Sequence, residues 1–301
     1  MKKTLAMMTA AMMVAGALAG CGSSSSTPAA TTAAATTAAA TEAETDVTTA
    51  AATTEAAGDT AAAAEGTVKT PSGKFTVGFD QEFPPMGFVG DDGQFTGFDL
   101  DLAKEVASRL GLEFVPQPIN WDAKDMELES GNIDCIWNGF TMQGREDAYT
   151  WVGPYMANNQ VFVVNADSEI ASKADLAGKA VEVQKDSSGL AALQGETELS
   201  ASFGSMTEVA DYNTALMDLE SGACDAVCMD SIVAGYQIKS SGKDMKILDD
   251  TLAAEEYGIG FKKGEDELAK AVYDTLMAMK DDGTVAKISN DWFGSDVFTL
   301  K

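Results

Sequence analysis

The sequence predicts an α/β fold with a mostly parallel sheet, on three observations. Short apolar runs of strand length alternate with helical patterns, the alternation occurs as two successive units, and glycine turns punctuate it. Lys74 to Phe79 alternates and reads as a strand. Asp99 opens a helix with Leu102, Val106 and Leu110 on one face, and Gly111 ends it. Glu113 to Val115 is a second strand and Ala123 to Ser130 a helix. Gly131-Asn132 turns the chain into a strand from Ile133 to Trp137, and Gln160 to Val164 is a further apolar strand. The second unit begins with a strand from Ala180 to Val183 and a helix from Ser188 to Gln194. Ala210 to Ser221 is a helix carrying Ala215, Leu216 and Leu219, followed by a strand from Ala226 to Met229. Asp230 heads a helix to about Ser240, and a short run follows at Lys246 to Leu248. Beyond Tyr257-Gly258-Ile259-Gly260-Phe261 come two helices, with Leu268, Val272, Leu276 and Met279 on the first and Val285, Ile288 and Trp292 on the second.

The start of the chain fixes where the rest must work. Lys2-Lys3 precede an apolar stretch from Leu5 to Leu18, the order of an export signal. That stretch falls short of the roughly 20 residues a membrane-spanning helix needs. Leu18-Ala19-Gly20-Cys21 resembles a bacterial lipobox, which implies that residues 1–20 are removed and that Cys21 carries the lipid, palmitate among its acyl chains. Residues 21–72 are mostly Ala, Thr, Ser and acidic residues. With no large apolar side chains to bury, nothing offsets the entropy of ordering them, and they read as a tether. A flexible coil of ~50 residues has a root-mean-square span of about 40 Å.

Composition then excludes several classes. A net charge of −27 repels nucleic acid and anionic lipid, so membrane contact is expected through the lipid anchor only. The chain holds no histidine, which removes the commonest general base, the commonest zinc ligand and any Ser-His-Asp arrangement. No cofactor, metal or catalytic set is expected. Ser240-Ser241-Gly242-Lys243 meets a Ser-x-x-Lys spacing, but its polar, glycine-containing setting reads as a turn. Of four cysteines, Cys135, Cys224 and Cys228 lie in or beside apolar runs and read as small buried hydrophobes.

Several blocks, in one order, resemble the extracellular solute-binding proteins of polar amino-acid ABC transporters, the bacterial solute-binding protein family 3. They are Val77-Gly78-Phe79-Asp80-Gln81-Glu82-Phe83-Pro84-Pro85-Met86, Gly97-Phe98-Asp99-Leu100-Asp101-Leu102-Ala103 and Leu128-Glu129-Ser130-Gly131-Asn132-Ile133-Asp134. Phe140-Thr141-Met142, Arg145, Pro154-Tyr155, Asp281-Asp282-Gly283-Thr284 and Trp292-Phe293-Gly294 follow. The resemblance covers Lys74 to Gly294. It implies a two-lobed, type II periplasmic-binding-protein-like fold, each lobe a mostly parallel sheet flanked by helices, joined by a two-strand hinge. Lobe 1 would be residues 73–159 and 257–301, and lobe 2 residues 160–256 with the hinge strands at its ends. A polar amino acid would lie between the lobes of a monomer and pass to an ABC permease and its ATPase.

The chemistry of such a cleft follows from residue types. A buried carboxylate and a buried ammonium each need a dedicated partner. Arg145 suits the carboxylate, because its planar fork donates two parallel hydrogen bonds. Thr141, Ser187 and Ser188 would add donors. Asp230 stands where the family keeps an ammonium-binding carboxylate, with a helix N-cap as its ordinary alternative. Asn138 and Gly139 would complete the cage, and Phe83 and Trp121 would supply flat faces to the ligand. Two departures stand out. Gln143-Gly144-Arg145 is one residue shorter than the family's usual turn, and Asp186 replaces a frequent glycine. Asp186 with Asp80 and Glu82 would make the mouth acidic and give side-chain selectivity, leaning toward a cationic ligand. Two rivals set the alternatives. A cell-wall-associated enzyme on this fold would add a separate catalytic domain, and a ligand-sensing module would carry a transmembrane helix with a cytoplasmic part.

Overall fold

A computed structural model describes Thr70 and residues 72–301; the expected signal peptide, Cys21 and most of the expected tether lie outside the described residues. The first strand, β1 (Lys74–Phe79), leads to a small antiparallel sheet of β2 (Glu82–Phe83), β3 (Gly87–Val89) and β4 (Phe95–Thr96). Helix α1 (Phe98–Leu110) follows, ended by Gly111 in the left-handed conformation. Gly97 before it cannot be replaced cheaply, since a Cβ there would lie 2.2 Å from the Met86 carbonyl oxygen. Next come β5 (Glu113–Pro118), a 3-10 turn at Trp121–Ala123, α2 (Lys124–Ser130) and β6 (Cys135–Thr141). Strands β5, β1 and β6 are parallel neighbours.

Strand β7 (Thr150–Asn165) then runs for sixteen residues. Beyond it lie β8 (Ala180–Gln184), α3 (Ser188–Gly195), α4 (Thr197–Ser202), β9 (Ser205–Val209), α5 (Tyr212–Ser221), β10 (Ala226–Asp230), α6 (Ser231–Ser241) and β11 (Met245–Ile247). Strands β10, β8 and β9 are again parallel. The chain returns through β12 (Ala253–Phe261) to α7 (Asp266–Asp281) and α8 (Thr284–Phe293). The main sheet has the order β5-β1-β6-β12-β7-β10-β8-β9, with β11 on β7. It is parallel at both ends and antiparallel at β7 and β12, which among the described residues join one end to the other.

Alternation explains how one sheet serves several cores. In β7, Val161 and Val163 join one buried cluster, while Phe162 and Val164 join the other. Met229 and Cys228 of β10 divide in the same way, as period-two side chains must. Helices α7 and α8 pack on α1, and Arg109 of α1 donates to Asp282 at 2.6 Å and Thr284 at 2.9 Å. The helical tail therefore sits against the first strand–helix unit, although the second intervenes in sequence.

Several elements differ from the sequence reading. β7 starts ten residues before Gln160, because Gly153-Pro154 and the polar Asn158-Asn159 mask a strand whose backbone is held by β12. β2, β3, β4, α4 and β9 escape prediction, being two to six residues long and weakly patterned. Cys135, Cys224 and Cys228 are free and buried. Among the described residues no helix is long and apolar enough to cross a membrane.

Candidate functional site

Where β7 and β12 cross between the two ends of the sheet, a narrow pocket of about 10 Å³ is lined by nine residues. Phe83, Trp121, Gly139, Thr141 and Arg145 come from the β1–β6 end. Gln184, Ser187, Ser188 and Asp230 come from the β8–β10 end. That volume holds about one water. The side chains on its two sides already touch, so a ligand must replace contacts that the protein makes with itself.

Arg145 is placed by a turn in which its N–H donates to Met142 O at 2.9 Å and Gly144 takes φ +78°. Its guanidinium donates to Thr141 O at 3.2 Å and Asp186 O at 3.3 Å, and lies 5.1 Å over the Phe140 ring. Both acceptors are neutral carbonyls. A carboxylate offers the same fork a charged, bidentate partner in their place. Thr141 Oγ1 donates to Ser188 Oγ at 3.2 Å across the pocket. Ser187 caps α3, its Oγ accepting from Leu190 N at 3.1 Å.

Asp230 occupies the N-cap position of α6 but its side chain makes no capping bond. Its Oδ1 accepts from Tyr257 at 2.7 Å and from Asn158 at 2.7 Å, and its Oδ2 accepts from Tyr212 at 2.9 Å. All three donors are neutral. Burial, with the nearby Glu255 charge second, holds its carboxyl well above the ordinary range. Phe83 tilts against Tyr212 with ring centroids 5.8 Å apart, and Trp121 meets Phe140 edge-on. Gly139 is left-handed at φ +56°, and a Cβ there would come within 2.8 Å of the Phe83 ring. Its N–H donates to Asp99 at 2.7 Å.

Other sequence-predicted residues take different places. Asn138 is not among the lining residues: its Oδ1 accepts the Asp80 N–H at 3.0 Å, which keeps that oxygen inside its own lobe. Asp80 and Glu82 face a separate outer groove of about 860 Å³, with Asp122, Glu127, Glu208 and Asp211 around it. Each also bridges the two sides, Asp80 accepting from Gln184 at 2.7 Å and Glu82 from Asn213. Burial raises the Asp80 carboxyl to about 6. Asp186 lines neither cavity. It is the one non-glycine residue at positive φ among the described residues, at +56°, which explains why glycine suits the position. Its carboxylate pairs with Lys124, whose ammonium is buried beside Trp121.

Lys124, Gln184, Asn158, Gln160 and Glu255 were missed in the sequence. The available signal was polarity out of place: a lysine beginning a helix turn behind Trp121, and amides or acids within strand runs. Among the described residues no cluster of acids and cysteines could hold a metal ion.

The pocket thus has Arg145 on one side and Asp230 on the other, beside the two strands that pass between the parallel sheet ends. Comparison with known proteins decides the family. The model of the bacterial extracellular solute-binding proteins, family 3, matches residues 75–295. The chain belongs to that family. A curated relative, the L-cystine-binding protein TcyJ of Escherichia coli (strain K12), is 32% identical over 231 residues, covering 75% of this chain and 84% of the relative. The L-cystine-binding protein TcyA of Bacillus subtilis (strain 168) is 31% identical over 229 residues, covering 75% and 83%. Among solved structures, an ABC uptake transporter substrate-binding protein from Streptococcus pneumoniae with bound histidine superposes with a TM-score of 0.73. It is 34% identical and covers 76% of this chain and 96% of its own. As a family 3 solute-binding protein the chain has the two-lobed type II fold, and its family is made of binding proteins for transport.

Proposed function

We propose that this protein is a lipid-anchored extracellular receptor that captures a polar amino acid between its lobes and delivers it to an ABC importer. The observation that carries the reading is the convergence of Arg145 and Asp230, opposite in charge and from opposite lobes, on one pocket walled by Phe83 and Trp121. A zwitterion needs that combination, since each of its charges loses water on burial. The ligand carboxylate takes the place of the Thr141 and Asp186 carbonyls on Arg145, with Thr141 and the two serines as further donors. Its ammonium approaches Asp230 Oδ2, which accepts from Tyr212 and has capacity for another donor. Phe83 and Trp121 hold the side chain. A dissociation constant of about 1 µM corresponds to roughly 8 kcal/mol, within reach of this set.

Residues 73–159 with 257–301 form the first lobe and residues 160–256 the second, turning about the middle of β7 and β12. Asp80, Glu82 and Asp186 serve closure through Gln184, Asn213 and Lys124 rather than contacting the ligand. The side-chain preference then rests on Trp121 and its neighbours, and cystine, histidine and arginine, named for the relatives, are the first ligands to try. Cys21 anchors the mature monomer by lipid, the tether lets it reach a permease, and the partner's ATPase supplies the energy.

The test is a thermal-shift screen of the purified protein against the standard amino acids, ornithine and cystine, since a ligand that binds the native state raises its apparent stability. At least one polar amino acid should raise the midpoint, and Arg145→Ala should erase the shift. No shift with any of them would contradict the reading. Cys21→Ser should release the protein from the membrane fraction.

A further inference from the structure

Behind the pocket, on the side away from Arg145, Asp230 meets a second buried acid. Asn158 of β7 divides its amide between the two, donating to Asp230 Oδ1 at 2.7 Å and to Glu255 Oε1 at 2.6 Å. Gln160 Nε2 donates to the same Glu255 oxygen at 2.8 Å and to Ser188 Oγ at 3.2 Å. Asp230 is 3% exposed and Glu255 5%. The titratable groups around Asp230 are Glu255 and Tyr257 on β12, Tyr212 on α5 and Cys228 on β10, with Arg145 across the pocket. Strand β7 presents amides. Helix α6 presents Ser231, whose hydroxyl donates to Asn158 Oδ1 at 3.0 Å.

A carboxyl group in a buried site, held through one amide against a second acid, does not ionise readily, because its charge has neither water nor a cation against it. Burial first, and the negative charge of Glu255 second, favour the protonated form of Asp230. An ammonium group at Asp230 changes that balance, since a cation within hydrogen-bond reach lowers a carboxyl pKa by about one to three units.

We propose that Asp230 carries a proton when no cation faces it and releases that proton to solvent when an ammonium-bearing ligand binds, with Glu255, held against it through the Asn158 amide, the positioning residue that links capture to pH. This rests on the amino-acid reading above. The only bond that breaks is the carboxyl O–H; the proton goes to water, and a ligand N–H then donates to the freed Asp230 oxygen. As pH falls, the ligand must expel a proton that is held more firmly, so affinity weakens, by up to tenfold per pH unit in the limit.

The experiment is calorimetric titration of the protein with L-arginine, or with the strongest binder of the thermal-shift screen where arginine gives no heat. Titrations at pH 7 in phosphate and in Tris differ by the heat of buffer protonation, which counts protons released. The wild type should release close to one proton per molecule bound, and its affinity should fall from pH 7 to pH 6. Glu255→Gln should release fewer protons, bind with a shallower profile over that range, and exceed the wild type at pH 6, because burial of Asp230 remains while the neighbouring charge is gone. A purely structural role predicts weaker binding at every pH with the slope kept. Zero release by the wild type, which needs no variant to fold, would overturn the proposal while leaving the amino-acid reading intact. Absence of any binder in the screen would overturn both.

Discussion

The inner pocket and the outer groove meet at Trp121, yet they are built on opposite principles. The groove is large, at about 860 Å³, and its charge is nearly of one sign, six acids against Lys185. The inner pocket has room for about one water, but it brings a guanidinium and a carboxylate from different lobes to face one space, each already held by neighbours. On the amino-acid reading, volume and charge density do not mark the recognition site; held and opposite charges do, because they can replace the water that both ends of a zwitterion give up. The groove's one-sign field can steer cations toward the mouth without selecting among them.

The contrast predicts a ranking of effects. Arg145→Ala should be the most damaging, since removing one member of a buried pair costs about 3 kcal/mol or more. Calorimetry should then show at least a hundredfold loss of amino-acid affinity, with an unchanged circular dichroism spectrum. Asp230→Asn should follow, roughly ten- to hundredfold, as expected for a lost hydrogen bond to a charged group.

A stability effect of intermediate size separates buried acids from exposed ones. Burial raises Asp80 to about 6, raises Asp99 to about 7, and raises Asp230 as well. A carboxyl raised in the folded state binds its proton more tightly there than in the unfolded chain. These groups therefore favour folding at low pH and lose that contribution as pH rises from about 4 to about 8, Asp80 first and Asp230 last. The thermal midpoint without ligand should fall over that interval, and Asp99→Asn should flatten the fall.

Lys124→Met comes next. It breaks the contact with Asp186, one member of which is half exposed, so the loss should be about 1 kcal/mol or less. It should appear as faster ligand dissociation in stopped flow. Glu82→Gln, in the outer groove, should be smallest: under about twofold at physiological salt, confined to the association rate of a cationic amino acid. A larger effect from Glu82→Gln than from Asp230→Asn would reverse the comparison between groove and pocket.

Much of the fold was legible because its parallel ends are made of apolar strands and capped helices. Gly111, Gly131 and Gly222 each end a helix in the left-handed conformation, as turn chemistry leads one to expect. The crossing of β7 and β12 was not legible from pattern. Those strands carry Asn158, Gln160 and Glu255 where alternation would place apolar residues, and their return to the first unit came only from family resemblance. The pocket residues carried by motifs, such as Arg145 and Asp230, were nameable in advance. Their supports were not. Tyr212, Tyr257, Asn158 and Glu255 reach Asp230 from three elements far apart in sequence, and only the folded chain brings them together. Asp186 read as an acid at the mouth; its exposed neighbourhood gave no hint that Lys124, buried behind Trp121, would hold it.

The central claim is that one pocket binds a free amino acid by both of its charged ends. Calorimetric titration with a bound amino acid, its decarboxylated amine and its deaminated acid tests this most directly. The amino acid should bind with measurable heat and both truncated compounds should fail to compete with it. Binding of either truncated compound as tightly as the amino acid would contradict the account.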